Sequence, residues 1–237
     1  MKVLAVDTSS IVAAVAVVEG EKLLGEYILN HKRMHSQKLM PLIIELMHSL
    51  ELKPQDIDAY AASTGPGSFT GLRIGITTIK ALAYAAGKPV ISVPTLDALA
   101  FNVYFHAGAI ICPMMDARNN QVYTALYRRE GGRLARLTEY MGIKVDKLLE
   151  IVRNTNHDVI FLGDAVEIHK AFLKGELKER CEFAPGNLLL QRASSVAYVA
   201  RTLAAEGKVE SCFEMTPFYL RKSQAEREYE KREGKHA

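Results

Sequence analysis

The chain has 237 residues, 49 % of them hydrophobic and 24 % charged, with a net charge of +3. That length suits one large or two modest domains, and with no basic block before the tail the charge excludes a strong autonomous nucleic-acid binder. Cys112, Cys181 and Cys212 are scattered and lack C-x-x-C spacing, which argues against a disulfide framework and against a zinc site. No apolar run approaches the ~20 residues of a membrane span. The opening MKVLAVDTSS turns polar too soon for a secretion signal, so a cytoplasmic protein is expected.

In chain order, residues 2–6 form a short apolar strand that stops at Asp7-Thr8-Ser9-Ser10. Residues 11–18 are β-branched and apolar, and Glu19-Gly20 turns the chain into 22–29, which completes a three-stranded meander. Residues 36–50 read as a helix with Leu39, Leu42, Ile43, Leu46, Met47 and Leu50 at helical spacing. Met40 and Ile44 widen its apolar arc beyond the ~100° that one-sided burial requires, so it is expected to pack on its own sheet and on a second surface. Pro41 either starts this helix or kinks it. A strand (57–62), a glycine-rich loop, a helix (69–86), a strand (89–93) and a helix (95–105) follow.

The pattern then begins again. Residues 109–115 are an apolar strand ending at Asp116-Ala117-Arg118-Asn119-Asn120. Strands are expected at 121–128 and near 134–140, with Gly131-Gly132 as the turn between them. A helix (145–154), a strand (158–162), a helix (165–173) and a last helix within 188–205, starting near Ser194, complete the layout. Two halves therefore share one strand–helix order and a polar turn after the first strand, although their sequences do not match.

The stretch TGPGSFTGLRIG at 64–75 is the densest in information. It lacks the spacing of a dinucleotide fingerprint, because Gly71 comes one residue late, and it lacks the Gly-Lys-Ser/Thr close of a P-loop. Ser68 is placed to cap the following helix. Gly67, Gly71 and Gly75 recur every four residues and so line one helical face without side chains. Two readings compete for this face: close packing of another backbone, or an anion at the helix N-terminus.

The duplicated order matches the actin-like ATPase fold, an α/β architecture of two lobes, each a mixed sheet flanked by helices. In that fold the turn after each lobe's first strand faces the interlobe cleft and holds phosphate. Asp7-Thr8-Ser9 and Asp116-Ala117-Arg118 occupy the two places. Ordinary turn chemistry explains each taken alone, since Asp and Ser close β-turns in most proteins. The domain boundaries read as an N-terminal lobe at 1–105 and a C-terminal lobe at 106–222, whose last segment has the option of packing back on the first. A charged tail occupies 223–237.

With these motifs in place, the chain resembles the TsaB (YeaZ) family. The resemblance is carried by LAVDTSS at 4–10, MHS at 34–36, STGPGSFTGLRIG at 63–75, VPTLDALA at 93–100, DARNNQVY at 116–123 and PFYLR at 217–221. It implies a non-catalytic dimerisation subunit in the synthesis of threonylcarbamoyladenosine at position 37 of tRNAs that read ANN codons. The implied partners are the catalytic subunit TsaD and the ATPase TsaE, with tRNA reached through the complex and a homodimer formed when TsaD is absent.

The implied pairing surface lies on the two helices at 36–50 and 69–86, with Leu39, Leu42, Ile43, Leu46, Gly67, Gly71, Gly75 and Thr78 as its residues. The over-wide apolar arc and the glycine face point to the same helices independently of the family. Asp7, Thr8 and Ser9 stand as a vestigial phosphate turn. No cofactor is assigned to the chain, and ATP or ADP is left to the assembled complex.

TsaD-like enzymes carry metal-binding histidines after the glycine-rich helix and the next strand. At that place the chain reads Val93 to Ala100 without histidine, and Asp97 alone is read as an exposed or capping residue. His31 and His35 are four apart but lack a third ligand, so no metal is assigned. Ser9, Ser63 and Ser68 sit in no nucleophile elbow, which weakens a peptidase reading. A self-contained ATP-dependent phosphotransferase of the same fold is the main alternative. The tail is read as a solvated end.

Overall fold

The computed structural model describes residues 1–30 and 35–221. It contains two mixed sheets. The first is ordered β3-β2-β1-β4-β5, from β1 (Lys2–Asp7), β2 (Val12–Glu19), β3 (Lys22–Asn30), β4 (Ala59–Gly65) and β5 (Val90–Pro94). The second follows the same plan as β10-β7-β6-β11-β12. The strands on that path are β6 (Ile110–Asp116), β7 (Gln121–Thr124), β10 (Met141–Lys144), β11 (Val159–Leu162) and β12 (Cys181–Phe183), and two further strands off the path bring the sheet to 7. In each sheet the first strand is central, runs antiparallel to the second and parallel to the fourth of the set. This duplicated plan is that of the actin-like ATPase fold.

Side chains alternate across each sheet, which sorts the core into layers. Leu4 and Val6 of β1 face α1 (His35–Ser49) and α2 (Phe69–Ala86), packing with Leu39, Ile43, Leu46, Leu72, Ile76 and Ile79. Val3 and Ala5 face the other way, onto Val196, Ala197 and Ala200 of α6 (Ala193–Ala205). A helix late in the chain thus covers the first sheet. In the second half Cys112 and Met114 pack against α4 (Val145–Thr155) and α5 (Val166–Leu177). Ile111 and Met115 instead meet Leu96 and Leu99 of α3 (Thr95–Phe101), which joins the halves through apolar contact. No helix among the described residues is long and apolar enough to cross a membrane.

Several expected elements differ in extent. The helix expected to reach 105 stops at Phe101 and continues as turns. The strand expected over 121–128 is broken into β7 and β8 (Tyr127–Glu130). Ala125 and Leu126 between them are both buried, and that defeats strict alternation. The strand expected near 134–140 is the shorter β9 (Arg133–Arg136), paired with β8, and β10, which starts beyond it and pairs with β7, was not expected. α5 runs four residues beyond the expected 173, to Leu177, and the three-residue β12 carries no periodic signal of its own. Pro41 lies inside α1, where it is solvent-exposed.

Candidate functional site

The glycine loop connects β4 to α2 and meets the β1–β2 turn. Ser68 caps α2, its hydroxyl accepting from Gly71 N–H at 3.3 Å. The side-chain-free face of α2 is turned inward. A Cβ on Gly71 would collide with the Thr8 carbonyl, one on Gly75 with Thr8 Oγ1, and one on Gly67 would stand 2.5 Å from the Ser9 carbonyl oxygen. The close approach is fastened by hydrogen bonds. Thr8 Oγ1 donates to Gly71 O at 2.7 Å, and Ser68 N–H donates to Ser9 O at 2.7 Å.

This corrects the sequence reading. The close approach that Gly67, Gly71 and Gly75 allow is filled by the molecule's own β1–β2 turn rather than left open for another chain. Leu39, Ile43 and Leu46 are likewise consumed by the core, each no more than 3 % exposed, while Leu42 packs partly buried against the same cluster. Thr78 is half-buried, its hydroxyl bonded to Ile74 O within the helix. The apolar residues that α1 leaves in solvent are Met40, 38 % exposed, and Ile44, 60 % exposed. One turn of helix separates them, so they form a single stripe. The sequence had already marked these two as the residues that over-widen the arc.

Asp7, Thr8 and Ser9 are each about 98 % buried or more. The Asp7 carboxylate accepts from Ser9 N–H at 2.9 Å, from the Ser9 hydroxyl at 2.6 Å and from the Ser63 hydroxyl. The polar groups that would greet a phosphate are therefore engaged in joining β1, β4 and α2.

A strap from the end of the chain closes the site. Phe218 N–H donates to Thr64 O at 2.7 Å, and Phe218 O lies against Gly65, whose φ of +131° and crowded Cβ position both demand glycine. Tyr219 stacks on Phe69 at 4.6 Å, and Arg73 Nε donates to its hydroxyl at 3.0 Å. Arg221 then reaches the second polar turn and donates to Ala117 O at 3.1 Å. The PFYLR motif thus bridges the glycine loop of one half and the Asp116 turn of the other.

At that second turn Arg118, Asn119 and Asn120 all adopt positive φ. Asp116 N–H donates to Asp164 at 2.9 Å, and Asp116 in turn accepts from Arg118 N–H at 2.8 Å. Burial first, and the neighbouring Asp116 charge to a lesser degree, push the Asp164 carboxyl up to about 6. No periodic signal flagged Asp164.

Asp97 also departs from expectation. It is a partly buried acceptor of two tyrosine hydroxyls, from Tyr127 at 2.7 Å and Tyr140 at 2.9 Å, and so it is neither an exposed residue nor a cap. The hydroxyl of Thr95, two residues earlier, accepts from Gly65 N–H at 3.0 Å. Among the described residues no three His, Cys, Asp or Glu side chains converge to hold a metal. His31, the His35 side chain and the tail at 223–237 lie outside the described residues. Cys112, Cys181 and Cys212 are free and buried, and burial pushes the Cys112 thiol up to about 12.

A paired-sheet fold with an internally hydrogen-bonded first turn and a strap across its two halves defines a member of the actin-like class. Comparison with known proteins places it further. The sequence profile of TsaD, tRNA N6-adenosine threonylcarbamoyltransferase, matches residues 22–229. The chain is 31 % identical over 226 residues to the tRNA threonylcarbamoyladenosine biosynthesis protein TsaB of Bacillus subtilis, covering 95 % of this chain and 96 % of that protein. It is 29 % identical to the Escherichia coli protein of the same name, covering 95 % and 96 %. A solved structure from Pseudomonas aeruginosa, described as an uncharacterized protein with similarity to peptidase YeaZ, superposes with a TM-score of 0.78 at 25 % identity. That match covers 93 % of this chain and 99 % of the other. The chain belongs to the TsaB (YeaZ) family.

Proposed function

We propose that this chain is the non-catalytic pairing subunit of a complex that forms N6-threonylcarbamoyladenosine at position 37 of tRNAs reading ANN codons. It joins TsaD, which performs the transfer, and TsaE docks on the pair. The tRNA is engaged through the assembly, in the cytoplasm. The family relationship supplies the pathway. The observation that carries the pairing role is the exposed stripe of Met40 and Ile44 on a helix whose other face is already saturated by its own core.

The non-catalytic part of the reading draws on the engaged state of Asp7, Ser9, Ser63 and Thr95, whose polar groups hold the scaffold together. For the same reason ATP or ADP is assigned to the assembled complex rather than to the β1–β2 turn. In the absence of TsaD the same α1 stripe closes a homodimer, because an apolar surface left in water gains from any complementary cover.

The test is size-exclusion mixing of TsaD with wild-type chain and with the Met40→Glu/Ile44→Glu double variant. The double variant is expected to elute apart from TsaD and as a monomer on its own, with its melting temperature preserved. A complex that survives both charges rejects α1 as the pairing surface.

A further inference from the structure

A cavity of about 690 Å³ lies away from the glycine loop, between α3, α6 and the β8–β9 hairpin. Its size is that of small-ligand sites, roughly 300–1,000 Å³. One wall is aromatic: Phe101 stacks on Tyr104 with ring centroids 4.3 Å apart and on Tyr198 at 6.0 Å. Asp97 forms part of the lining, and both tyrosine hydroxyls that reach it donate to the same oxygen, Oδ1. Its Oδ2 accepts from no described residue. A staple between α3 and the second sheet needs only the first oxygen, and the second is left for a donor.

The charges around this cavity are unevenly matched. Arg201 is paired with Glu21 at 2.7 Å and Lys208 with Glu206 at 2.8 Å. Arg133 and Arg136 line the cavity from the hairpin, and neither has a carboxylate at ion-pair distance among the described residues. Arg136 lies over the Tyr140 ring, its guanidinium carbon 3.9 Å from the ring centre. Asp97 acts on Arg136 and Glu206 on Arg133 only through space, so two guanidinium groups without a close carboxylate, a stacked aromatic wall and one acceptor oxygen suit a ligand that is anionic, planar and a hydrogen-bond donor.

We propose that this cavity holds one nucleoside phosphate unit. Its ring lies on the Phe101–Tyr104–Tyr198 wall, a ribose hydroxyl or exocyclic amine donates to Asp97 Oδ2, and the phosphate sits at Arg133 and Arg136. Stacking of a base on aromatic rings contributes roughly 1–3 kcal/mol, and guanidinium groups suit phosphate geometry. The unit has two sources with the same chemistry, a free nucleotide or a nucleotide of an RNA strand. The RNA source rests on the function proposed above; the free nucleotide does not.

The test titrates the full-length chain at low salt with AMP, GMP, CMP and UMP by calorimetry, and with a labelled anticodon stem-loop RNA by anisotropy. Mononucleotide binding no weaker than RNA binding assigns the free source, and at least tenfold tighter RNA binding assigns the strand. Arg133→Glu/Arg136→Glu, Tyr104→Ala and the cavity-blocking Thr202→Trp at the exposed lip are each expected to weaken binding at least tenfold. Binding of neither ligand overturns the proposal, as does binding unchanged by all variants. Loss in the arginine variant alone, with Tyr104→Ala and Thr202→Trp unchanged, is plain phosphate attraction and overturns it too. Pairing with TsaD is measured in parallel, so a failed pairing counts against the proposed function and a failed titration against the cavity.

Discussion

Replacing Gly71 with alanine adds one methyl group at the tightest contact between α2 and the β1–β2 turn. The new Cβ would collide with the Thr8 carbonyl oxygen, and it would stand 3.2 Å from the Thr8 carbonyl carbon and 3.3 Å from Ser68 Cβ. Its obstacle is backbone, so the helix and the turn must part. Overpacking of this kind costs about 1–3 kcal/mol. Parting also weakens the Thr8 Oγ1 to Gly71 O and Ser68 N–H to Ser9 O bonds, at about 1 kcal/mol each. The better helix propensity of alanine returns about 1 kcal/mol. The net expectation is a loss of about 2–4 kcal/mol, read as a melting temperature lower by very roughly 5–15 °C in a chain of this size. Gly175 supplies the control. It lies within α5, and nothing stands within 4 Å of its Cβ position, so Gly175→Ala is expected to stabilise by about 0.5–1 kcal/mol. Thermal unfolding of both variants beside the wild type is the assay. If Gly71→Ala melts within about 2 °C of wild type, the inward packing of the glycine face is refuted.

Asp164 makes the pH dependence testable. Its carboxyl rises from 3.8 to about 6 on folding, so the folded state binds more protons across that interval and stability falls as pH rises from about 4 to about 6, by about 3 kcal/mol at most. Asp164→Asn, which keeps an acceptor for Asp116 N–H, is expected to flatten this fall in a melting series; an unchanged slope contradicts the assignment. The strap is probed by Arg221→Ala, which removes the bond to Ala117 O and is expected to speed proteolysis near Phe218, with equal cleavage rates counting against a bridging role. Phe161→Ala in the β11 core is expected to cost about 3–5 kcal/mol, and unfolding in denaturant measures it.

Much of the fold was legible because its signals are local. The short apolar run of β1 and the helical spacing of Leu39, Ile43 and Leu46 each mark an element, and the structure buries them. The repeated polar turn gave the duplication. What misled was direction. A glycine stripe says that something approaches closely, and the sequence does not say whether the neighbour belongs to the same chain; Thr8 and Ser9 do, although they precede Gly71 by more than sixty residues. Separation in sequence also hid Asp97, whose partners Tyr127 and Tyr140 lie in the other half. Arg133 and Arg136 escaped notice because a net charge of +3 averages a local pair of cations away. The break between β7 and β8 was unreadable for a related reason, since two successive buried residues look like strand until the partner strands are known.

The central claim is that the chain acts through its α1 stripe while the transfer occurs on TsaD. Reconstitution of tRNA modification from purified components, with each left out in turn, tests it most directly. Modified adenosine is expected only when TsaD and TsaE are present with a chain that keeps Met40 and Ile44, and the Met40→Glu/Ile44→Glu variant should abolish it. Modified tRNA from this chain and a threonylcarbamoyl donor alone contradicts the claim outright.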